Sequence, residues 1–274
     1  MLRFLESMQF MLFVFFTAAY AYQIVYLFVG LIGKGRGGRE NAKLHRYAAV
    51  VAARNESAVI ANLIRTLKEQ NYPSELLDIY VIADNCTDNT AQISRQAGAY
   101  VYERFNKVQV GKGYALEYLF HHIFEDKGET AYDGFFVFDA DNIVDRDFVR
   151  EMNKMFDTGE YTALTSYRNS QNFCANWISA GYALWFLRES RFLNRPRTQL
   201  GVNCAVSGTG FLVSAQAVRE DAGWPYHLLT EDIEFSIACA TSGFASFTAT
   251  TCGRRQIFCS VAGWMFTPVR EGTL

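Results

Sequence analysis

The hydrophobic and polar positions divide this chain into stretches of different pattern. No residue from Ser7 to Gly33 is charged, and the run is long enough to cross a hydrocarbon layer of about 30 Å as a helix. Only Arg3 is basic before this run, whereas five basic residues follow it: Lys34, Arg36, Arg39, Lys43 and Arg46. Because basic residues favour the cytoplasmic side, we expect a single-pass transmembrane anchor over 1–33, with the rest cytoplasmic. A cleaved signal peptide is the alternative.

After a basic, Gly-rich segment at 34–46, which we expect to be a solvated linker near lipid headgroups, the pattern changes to alternating strands and helices. Short apolar runs typical of buried strands lie at Tyr47–Ala53, Leu77–Ala83, Tyr100–Glu103 and Gly134–Phe138. Helical patterns separate them, at about 56–70, 88–97 and 113–124. This alternation predicts an α/β fold with a mainly parallel sheet flanked by helices. Ligands of such sheets bind at the carboxyl ends of the strands.

The second half of the chain is less regular. It predicts helices at about 147–156 and 175–193, strands at 161–167 and 211–213, and a helix that Thr230 caps and that runs to about 240. Residues 244–274 lack a clear helical or strand period, so we place the end of the folded domain, 47–243, before them as an atypical tail.

Composition excludes several classes of protein. Of the 274 residues, 50% are hydrophobic and the formal net charge is −2, which excludes intrinsic disorder and argues against a dedicated nucleic-acid binder. The six cysteines form no CxxC pair, which favours reduced thiols over a disulfide framework or a zinc site.

Polar residues follow the predicted strands where a ligand would bind. The fourth strand runs into Asp139 and Asp141, which should point the same way because side chains alternate along an extended chain. Two aligned carboxylates repel each other unless a cation or hydrogen-bond donors lie nearby. Hard oxygen ligands suit Mg²⁺ or Mn²⁺. A D-x-D triplet alone is weak support, since such triplets also occur in turns.

Six motifs occur in an order that resembles one known family. They are ARNES (53–57), IADNCTDNT (82–90), GKGYAL (111–116), FFVFDADN (135–142), SGTGFLV (207–213) and LTEDIEF (229–235). The set resembles the family 2 glycosyltransferases of GT-A fold, in particular the membrane-anchored, inverting branch with the cellulose, hyaluronan and poly-N-acetylglucosamine synthases. The resemblance implies sugar transfer from a UDP-sugar to a glycan or lipid-linked acceptor at the cell membrane, with Mg²⁺ or Mn²⁺ as cofactor and no nucleic-acid partner.

On the donor side, the resemblance implies that Asp84 accepts a hydrogen bond from uracil N3–H. Lys112 matches a lysine near the nucleotide. Asp139 would contact the ribose or donor sugar, and Asp141, with Asp139, would hold the metal on the diphosphate. The remaining residues of the implied uridine pocket are Ala53, Arg54 and Glu56.

On the acceptor side, Asp232 matches the general base that deprotonates the acceptor hydroxyl, with Glu231 beside it. Trp224 would belong to a sugar-stacking wall. The implied acceptor loop consists of Ser207, Gly208 and Thr209.

Each residue also has a plainer interpretation. Asp84 could be a turn residue, Lys112 a surface lysine, Trp224 packed core, and Asp232 a first-turn carboxylate favoured by the helix dipole. The remaining basic cluster, which could approach diphosphate or lipid but more simply forms a solvated helix face, consists of Arg188, Arg191, Arg195 and Arg197.

The resemblance fails at one point. Family members of this branch follow TED with a Q-x-x-R-W motif and further membrane helices, and neither follows here. We therefore expect a chain truncated or altered after about residue 243. Two alternatives to an active transferase stay open: a catalytically silent UDP-binding membrane protein, and a polyprenyl-phosphate glycosyltransferase.

Overall fold

The computed structural model describes residues 2–33, 38–170, 173, 176–241, 246–248 and 257–259. Its α-helices are α1 (Leu2–Tyr20), α2 (Tyr22–Ile32), α3 (Ile60–Lys68), α4 (Thr90–Gln96), α5 (Lys112–Lys127), α6 (Phe148–Phe156), α7 (Trp177–Arg188), α8 (Arg195–Gln199), α9 (Ala215–Glu220) and α10 (Glu231–Thr241). Its strands are β1 (Tyr47–Ala53), β2 (Leu77–Asp84), β3 (Tyr100–Arg104), β4 (Gly134–Asp139), β5 (Asn142–Val144), β6 (Ala163–Thr165), β7 (Arg168–Ser170), β8 (Phe211–Ser214), β9 (Ser246–Thr248) and β10 (Ile257–Cys259).

The main sheet confirms the predicted α/β class. Its strand order is β3-β2-β1-β4-β8-β6-β9, and β1 to β4 pair in parallel, whereas β8 runs antiparallel to both of its neighbours. A second, three-stranded sheet has the order β5-β10-β7. The four parallel strands lie within a residue of their predicted bounds, because continuous apolar runs are a local signal of strands buried on both faces.

The register of the parallel strands aligns their carboxyl ends. Ala53 of β1 pairs with Ala83 of β2, and Ala52 pairs with Asp139 of β4. The polar residues that follow these strands therefore meet at one edge of the sheet.

Apolar side chains cover both faces of this sheet. One buried cluster joins β1, β2 and β4 to α3 and α6, and includes Ile60, Leu63 and Met152. A second joins the opposite face to α5, α9 and α10, and includes Phe120 and Phe235. Two separate apolar layers hold the strand ends rigidly, which is the condition for a preorganised site.

The N-terminal helices α1 and α2 meet at Ala21 and form one apolar stretch. Among the described residues, Arg3–Ile32 is long and apolar enough to cross a membrane, and most of its side chains are exposed, although Gly30 near its end is buried. Composition and length alone support this, so membrane insertion stays a prediction here.

The described part of the predicted linker makes specific contacts with the folded domain. The Arg39 backbone N–H donates to the carbonyl of Lys154 at 3.0 Å, and His45 Nε2 lies 2.9 Å from Asp157 Oδ1. The His45 backbone N–H also donates to the Tyr72 hydroxyl at 2.9 Å. Most residues of 38–46 are exposed, as a solvated linker predicts, but Arg39 and His45 hold the segment against residues on and just after α6. Its closeness to lipid headgroups stays a prediction, and 34–37 lie outside the described residues.

The second half differs most from the predicted elements. The predicted strand at 161–167 is replaced by the short strands β6 and β7, and the predicted helix at 175–193 changes from α to π geometry at Glu189–Asn194. β9 adds Ser246–Thr248 to the main sheet beside β6, beyond the predicted domain end at 243. Apart from β9 and β10, the predicted tail at 244–274 lies outside the described residues.

Candidate active site

A cleft of about 340 Å³ opens at the carboxyl ends of β1, β2 and β4. It contains all seven residues expected on the donor side, including both aspartates of the D-x-D triplet. Its lining is Ala52, Ala53, Arg54, Glu56, Asp84, Gly111, Lys112, Ala115, Asp139, Ala140 and Asp141.

Two tight turns place the first polar residues of the cleft. Asn55 and Asn85 follow β1 and β2 with φ of 57° and 51°, a left-handed conformation that asparagine tolerates better than most residues. Asn55 Oδ1 accepts a 2.7 Å hydrogen bond from the Thr87 N–H. Asn85 exchanges two side-chain hydrogen bonds with the backbone of Asn106. These contacts fix the loops after β1, β2 and β3 against one another.

Asp84 forms a buried ion pair that sequence reasoning missed. Its Oδ1 lies 2.7 Å from Arg104 Nη1, and the two residues are only 5% and 6% exposed. Arg104 also donates through Nη2 to the carbonyl of Gln109 at 2.8 Å. A signal existed in the sequence, since Arg104 immediately follows the predicted third strand and pairs in register with Asp84. Asp84 is thus a buried, oriented carboxylate at the cleft and not only a turn residue.

Three further carboxylates of the cleft, those of Glu56, Asp139 and Asp141, interact with one another. Burial, together with the charges of Asp139 and Glu56, raises the pKa of Asp141 to about 6. Burial and the charges of Asp139 and Asp88 likewise raise the pKa of Glu56. Negative charge accumulates here beyond what nearby groups neutralise, so the donor set suits a hard divalent cation.

The described carboxylates of the cleft do not by themselves surround an ion. Within the described part of the chain, only one group of three His, Cys, Asp or Glu side chains has its ligand atoms within 4.8 Å of one another. It lies on α5, away from the cleft lining, and consists of His121, His122 and Glu125. Magnesium commonly takes one or two carboxylates and completes its shell with water and substrate phosphates. Asp139 and Asp141 fit that pattern, with a diphosphate supplying further oxygens.

The GKG motif is explained by its backbone. Gly111 has φ of 137°, and a Cβ on Gly113 would lie 1.9 Å from the Tyr226 carbonyl oxygen. Both positions therefore require glycine, and together they set the start of α5 against the segment before α10. Lys112 is held between them and points into the cleft.

Lys112 joins the two halves of the site. Its Nζ lies 2.7 Å from Asp139 Oδ1 and 3.2 Å from Glu231 Oε1, and it also donates to the Gly208 carbonyl. Burial alone would lower the pKa of Lys112, but the charges of both carboxylates outweigh it, so the pKa is raised. The ammonium stays charged and ties β4, α10 and the loop before β8 to one point, which excludes the surface-lysine interpretation.

The predicted acceptor loop divides into three different roles. Thr209 is buried: its hydroxyl accepts a 2.8 Å bond from the Asp139 N–H and donates to Asn142 Oδ1, so it holds the turn that carries the D-x-D triplet. Ser207 Oγ donates to Glu189 Oε1 at 3.2 Å. A Cβ on Gly208 would lie 3.1 Å from Asp232 Oδ2, so the loop backbone lies directly against that carboxylate.

The two acidic residues at the start of α10 differ in their surroundings. Glu231 is buried and paired with Lys112. Asp232 is half-buried, and Oδ1 accepts a 2.9 Å bond from the Ile233 N–H. No basic side chain in the described part of the chain lies within 4.0 Å of it. Ser236, one turn later and not anticipated from the sequence, accepts a 2.8 Å bond from the Val206 N–H and holds α10 beside the loop.

Trp224 is not part of a sugar-stacking wall, so that prediction was wrong. It is 1% exposed and stacks against Phe120 and Phe211, with Phe235 also at 5.0 Å between ring centroids. A sugar cannot reach its faces. The packed-core interpretation holds, because an indole at this position fills the layer between the sheet and α5.

The fold resembles those of solved sugar-transferring proteins. A mannosyltransferase from Pyrobaculum calidifontis, in complex with GDP-Man and Mn²⁺, aligns with a TM-score of 0.63 at 17% identity, over 86% of this chain and 64% of that one. S. aureus TarS 1-349 in complex with UDP-GlcNAc aligns with a TM-score of 0.53 at 15% identity, over 83% of this chain and 60% of that one. At these identities the likeness shows the fold alone.

This chain aligns with only part of the length of its sequence relatives. A β-monoglucosyldiacylglycerol synthase from a Synechocystis strain is 28% identical over 193 residues, which is 69% of this chain and 39% of the relative. A poly-β-1,6-N-acetyl-D-glucosamine synthase from Staphylococcus epidermidis is 22% identical over 201 residues, 72% of this chain and 46% of the relative. This chain therefore spans less than half the length of these relatives. A family profile described as "Glycosyltransferase like family 2" matches residues 45–251, and the chain belongs to that family.

Proposed function

We propose that this chain transfers a sugar from a UDP-sugar to an acceptor hydroxyl, with inversion at the anomeric carbon, with the help of a divalent cation and at the cytoplasmic face of a membrane. The observation that carries the proposal is the convergence on Lys112. Its ammonium contacts Asp139 of the donor cleft, Glu231 beside Asp232, and the carbonyl of Gly208. One side chain thus connects the donor and acceptor halves of the site.

The donor nucleoside binds at the ends of β1 and β2 in this proposal. The carboxylate of Asp84 is held through Oδ1 by Arg104, and it lines the cleft, where it can accept a hydrogen bond from uracil N3–H. Glu56 and the exposed Arg54 lie at the same strand ends. The TarS structure with UDP-GlcNAc supports a uridine donor in a fold of this kind.

Asp141 and Asp139 are the residues that would hold a cation on the diphosphate. The raised pKa of Asp141 reflects burial and neighbouring carboxylates that a cation would offset. The Mn²⁺ in the mannosyltransferase structure supports a metal in this fold. When bound, such an ion stabilises negative charge on the leaving diphosphate. Lys112 keeps Asp139 oriented toward the cleft.

Asp232 is the proposed general base. It lies in the first turn of α10, against Gly208, and lacks an ion-pair partner among the described residues. A carboxylate in that state can take the proton of an acceptor hydroxyl as the hydroxyl attacks the anomeric carbon. Glu231 is neutralised by Lys112 and serves as a positioning residue. One base and one displacement invert the configuration, so no protein nucleophile is required.

The names of the relatives and the apolar N-terminal stretch support the acceptor class and the membrane placement. The relatives are named as a glucosyldiacylglycerol synthase and a poly-N-acetylglucosamine synthase, which supports a lipid-linked or glycan acceptor. The apolar stretch Arg3–Ile32 would anchor the domain beside such acceptors.

A matched pair of variants tests the proposal. Full-length protein in lipid nanodiscs should release UDP from at least one UDP-sugar in the presence of Mn²⁺ and a glycolipid or glycan acceptor. Asp232→Asn should reduce this rate by about 10²- to 10⁴-fold while UDP binding persists. Glu234→Gln is the control, because it removes a charge from the same first turn but keeps an acceptor for the Leu228 N–H.

Two results would contradict the proposal. Equal loss of rate in both variants would show that Asp232 has no special role. Mn²⁺-dependent UDP binding without turnover of any donor would instead favour a nucleotide-binding protein without transferase activity.

A further inference from the structure

The outer face of α7 carries large apolar side chains that are at least half exposed in the described chain. Trp177 is 83% exposed and Trp185 58%, and Tyr182 and Leu184 are at least half exposed. Only Ser179 and Ala183 of this helix are buried. Exposed patches of this kind mark a surface that contacts something other than water.

Four arginines at the end of α7 and in the following turns carry charge that no described carboxylate neutralises. No salt bridge within 4.0 Å involves any of them in the described part of the chain. They are Arg188, Arg191, Arg195 and Arg197.

Three of these arginines contact α2 or Gly33, which follows it. The prediction that they form a solvated helix face was therefore wrong. Arg188 Nη2 donates to Gln23 Oε1 at 2.9 Å, and Arg195 Nη2 donates to the Gly33 carbonyl at 3.0 Å. The Arg197 guanidinium carbon lies 5.8 Å from the ring centroid of Tyr26. These partners are neutral, so the positive charge is uncompensated.

The contact between the two regions is close and fixed. A Cβ on Gly30 of α2 would lie 2.9 Å from the Arg191 carbonyl oxygen and 3.3 Å from Pro196 Cγ. The end of the apolar helix therefore packs directly on the π-helical turn and α8. Arg191 and Arg195 lie beside the end of α2, the level at which a membrane-spanning helix meets the headgroups, whereas Arg188 and Arg197 contact α2 earlier, at Gln23 and Tyr26.

We propose that residues 177–199, the lipid-contact segment, form a second membrane-binding surface that docks on an anionic phospholipid bilayer. Trp177, Tyr182, Leu184 and Trp185 enter the interface, where amphipathic aromatic rings are favoured. The four arginines bind lipid phosphate groups, for which the planar guanidinium is well suited. The proposal rests on the membrane insertion of α1 and α2 proposed above, because the segment packs directly against α2.

The lipid-contact segment is joined to the proposed acceptor loop. Glu189, directly after Arg188, accepts the 3.2 Å hydrogen bond from Ser207 Oγ, and its Oε2 lies 3.6 Å from Arg168 Nη2. Ser207 adjoins Gly208, which lies against Asp232. Docking of this segment would therefore set the position of the bilayer relative to the acceptor side of the site.

Tryptophan quenching in nanodiscs tests the apolar part of the surface. Full-length protein is inserted into nanodiscs whose phospholipid is brominated either near the headgroup end of the acyl chain or near its terminus. The fluorescence difference between wild type and the double variant Trp177→Phe, Trp185→Phe isolates these two rings from the other tryptophans. We expect that difference signal to be quenched, and more strongly by the shallow bromine than by the deep one.

The outcomes separate the inference from the insertion on which it rests. Protein that enters nanodiscs but gives an unquenched difference signal would overturn only the second surface, and would indicate that another polypeptide segment covers α7. Protein that does not insert would overturn both.

The arginines have an independent test. Native mass spectrometry of the detergent-solubilised full chain should show retention of phosphatidylglycerol over phosphatidylcholine. Arg191→Gln should weaken that preference about fivefold, the effect of roughly one basic residue at a membrane surface, since Arg191 is the exposed member of the four. Arg65→Gln, an exposed arginine on α3, is the control and should change nothing. Equal retention in all three proteins would overturn the charge-based part of the proposal.

Discussion

The edge formed by β1, β2 and β4 and the segment from β6 to β8 contribute to the same site in different ways. The first is set by local signals, since each apolar run forms a strand and Glu56, Asp84 and Asp139, at or just after the strand ends, line the cleft. The second is set by contacts between residues distant in sequence. The Thr209 hydroxyl accepts a hydrogen bond from the Asp139 N–H. The Gly208 carbonyl accepts one from Lys112, and Gly208 lies against Asp232. The sheet edge thus forms the predicted donor side, whereas the predicted acceptor side depends on tertiary hydrogen bonds.

The largest expected effect of a substitution falls on the sheet edge itself. Arg104→Met leaves Asp84 buried without its partner, which should destabilise the domain by about 3 kcal/mol or more. Thermal unfolding of the full chain in detergent measures this.

A double variant checks the reason for that loss. Arg104→Met combined with Asp84→Asn removes the unpaired charge and should recover much of the stability but not UDP binding. No recovery would mean that Arg104 acts through its bond to Gln109 and not through Asp84.

Lys112→Met breaks the link between the two regions. It leaves Asp139 and Glu231 without a counter-charge, and a cost of about 1–2 kcal/mol is expected because Asp139 is partly exposed to solvent. Adding Glu231→Gln should restore part of the stability, as measured by thermal unfolding. If the single variant were as stable as the wild type, the two regions would not depend on Lys112.

Asp141→Asn should stabilise the protein in the absence of divalent cations. The pKa of Asp141 is raised from 3.8 to about 6, so the folded state binds more protons than the unfolded state between these values, and stability falls as pH rises through that window. At pH 7.5 the variant should gain about 1–2 kcal/mol, allowing for solvent screening, and the gain should vanish below about pH 4. Thermal unfolding in chelator across this pH range measures it, and a gain that persists at pH 4 would contradict the charge account.

Thr209→Val should have the smallest effect, about 1 kcal/mol. It removes the acceptor of the Asp139 N–H and the donor to Asn142 while keeping the side-chain shape. UDP should also bind more weakly, because the turn that carries the D-x-D triplet is held by fewer hydrogen bonds. Thr158→Val is the control: it likewise removes a hydroxyl that donates to one group, the Met155 carbonyl, and accepts from another, the Glu160 N–H, and it should leave UDP binding unchanged.

The difference between the regions also explains what the sequence could predict. The parallel strands and the positions of Asp84, Asp139 and Asp141 follow from apolar runs and strand ends, which are local patterns. The pairing of Arg104 with Asp84 depends on strand register. A sequence motif did not distinguish the buried Trp224 from a sugar-stacking residue, because burial depends on how α5 and α10 pack over the sheet.

The irregular elements were harder for a related reason. The change from α to π geometry at Glu189–Asn194 has no local sequence signal. The hydrogen bonds that Arg39 and His45 make with residues on and just after α6 are tertiary contacts that the sequence pattern did not predict. Where a segment is placed by tertiary contacts, periodicity predicts its existence but not its bounds.

Binding of UDP by the full-length chain, with and without Mn²⁺, tests the central claim most directly. Wild-type protein should bind UDP much more tightly with Mn²⁺, and Asp141→Asn should lose that dependence. Asp145→Asn, four residues away and outside the cleft, should behave as the wild type. Equal Mn²⁺ dependence in wild type and Asp141→Asn would contradict the assignment of this cleft as a metal–nucleotide site.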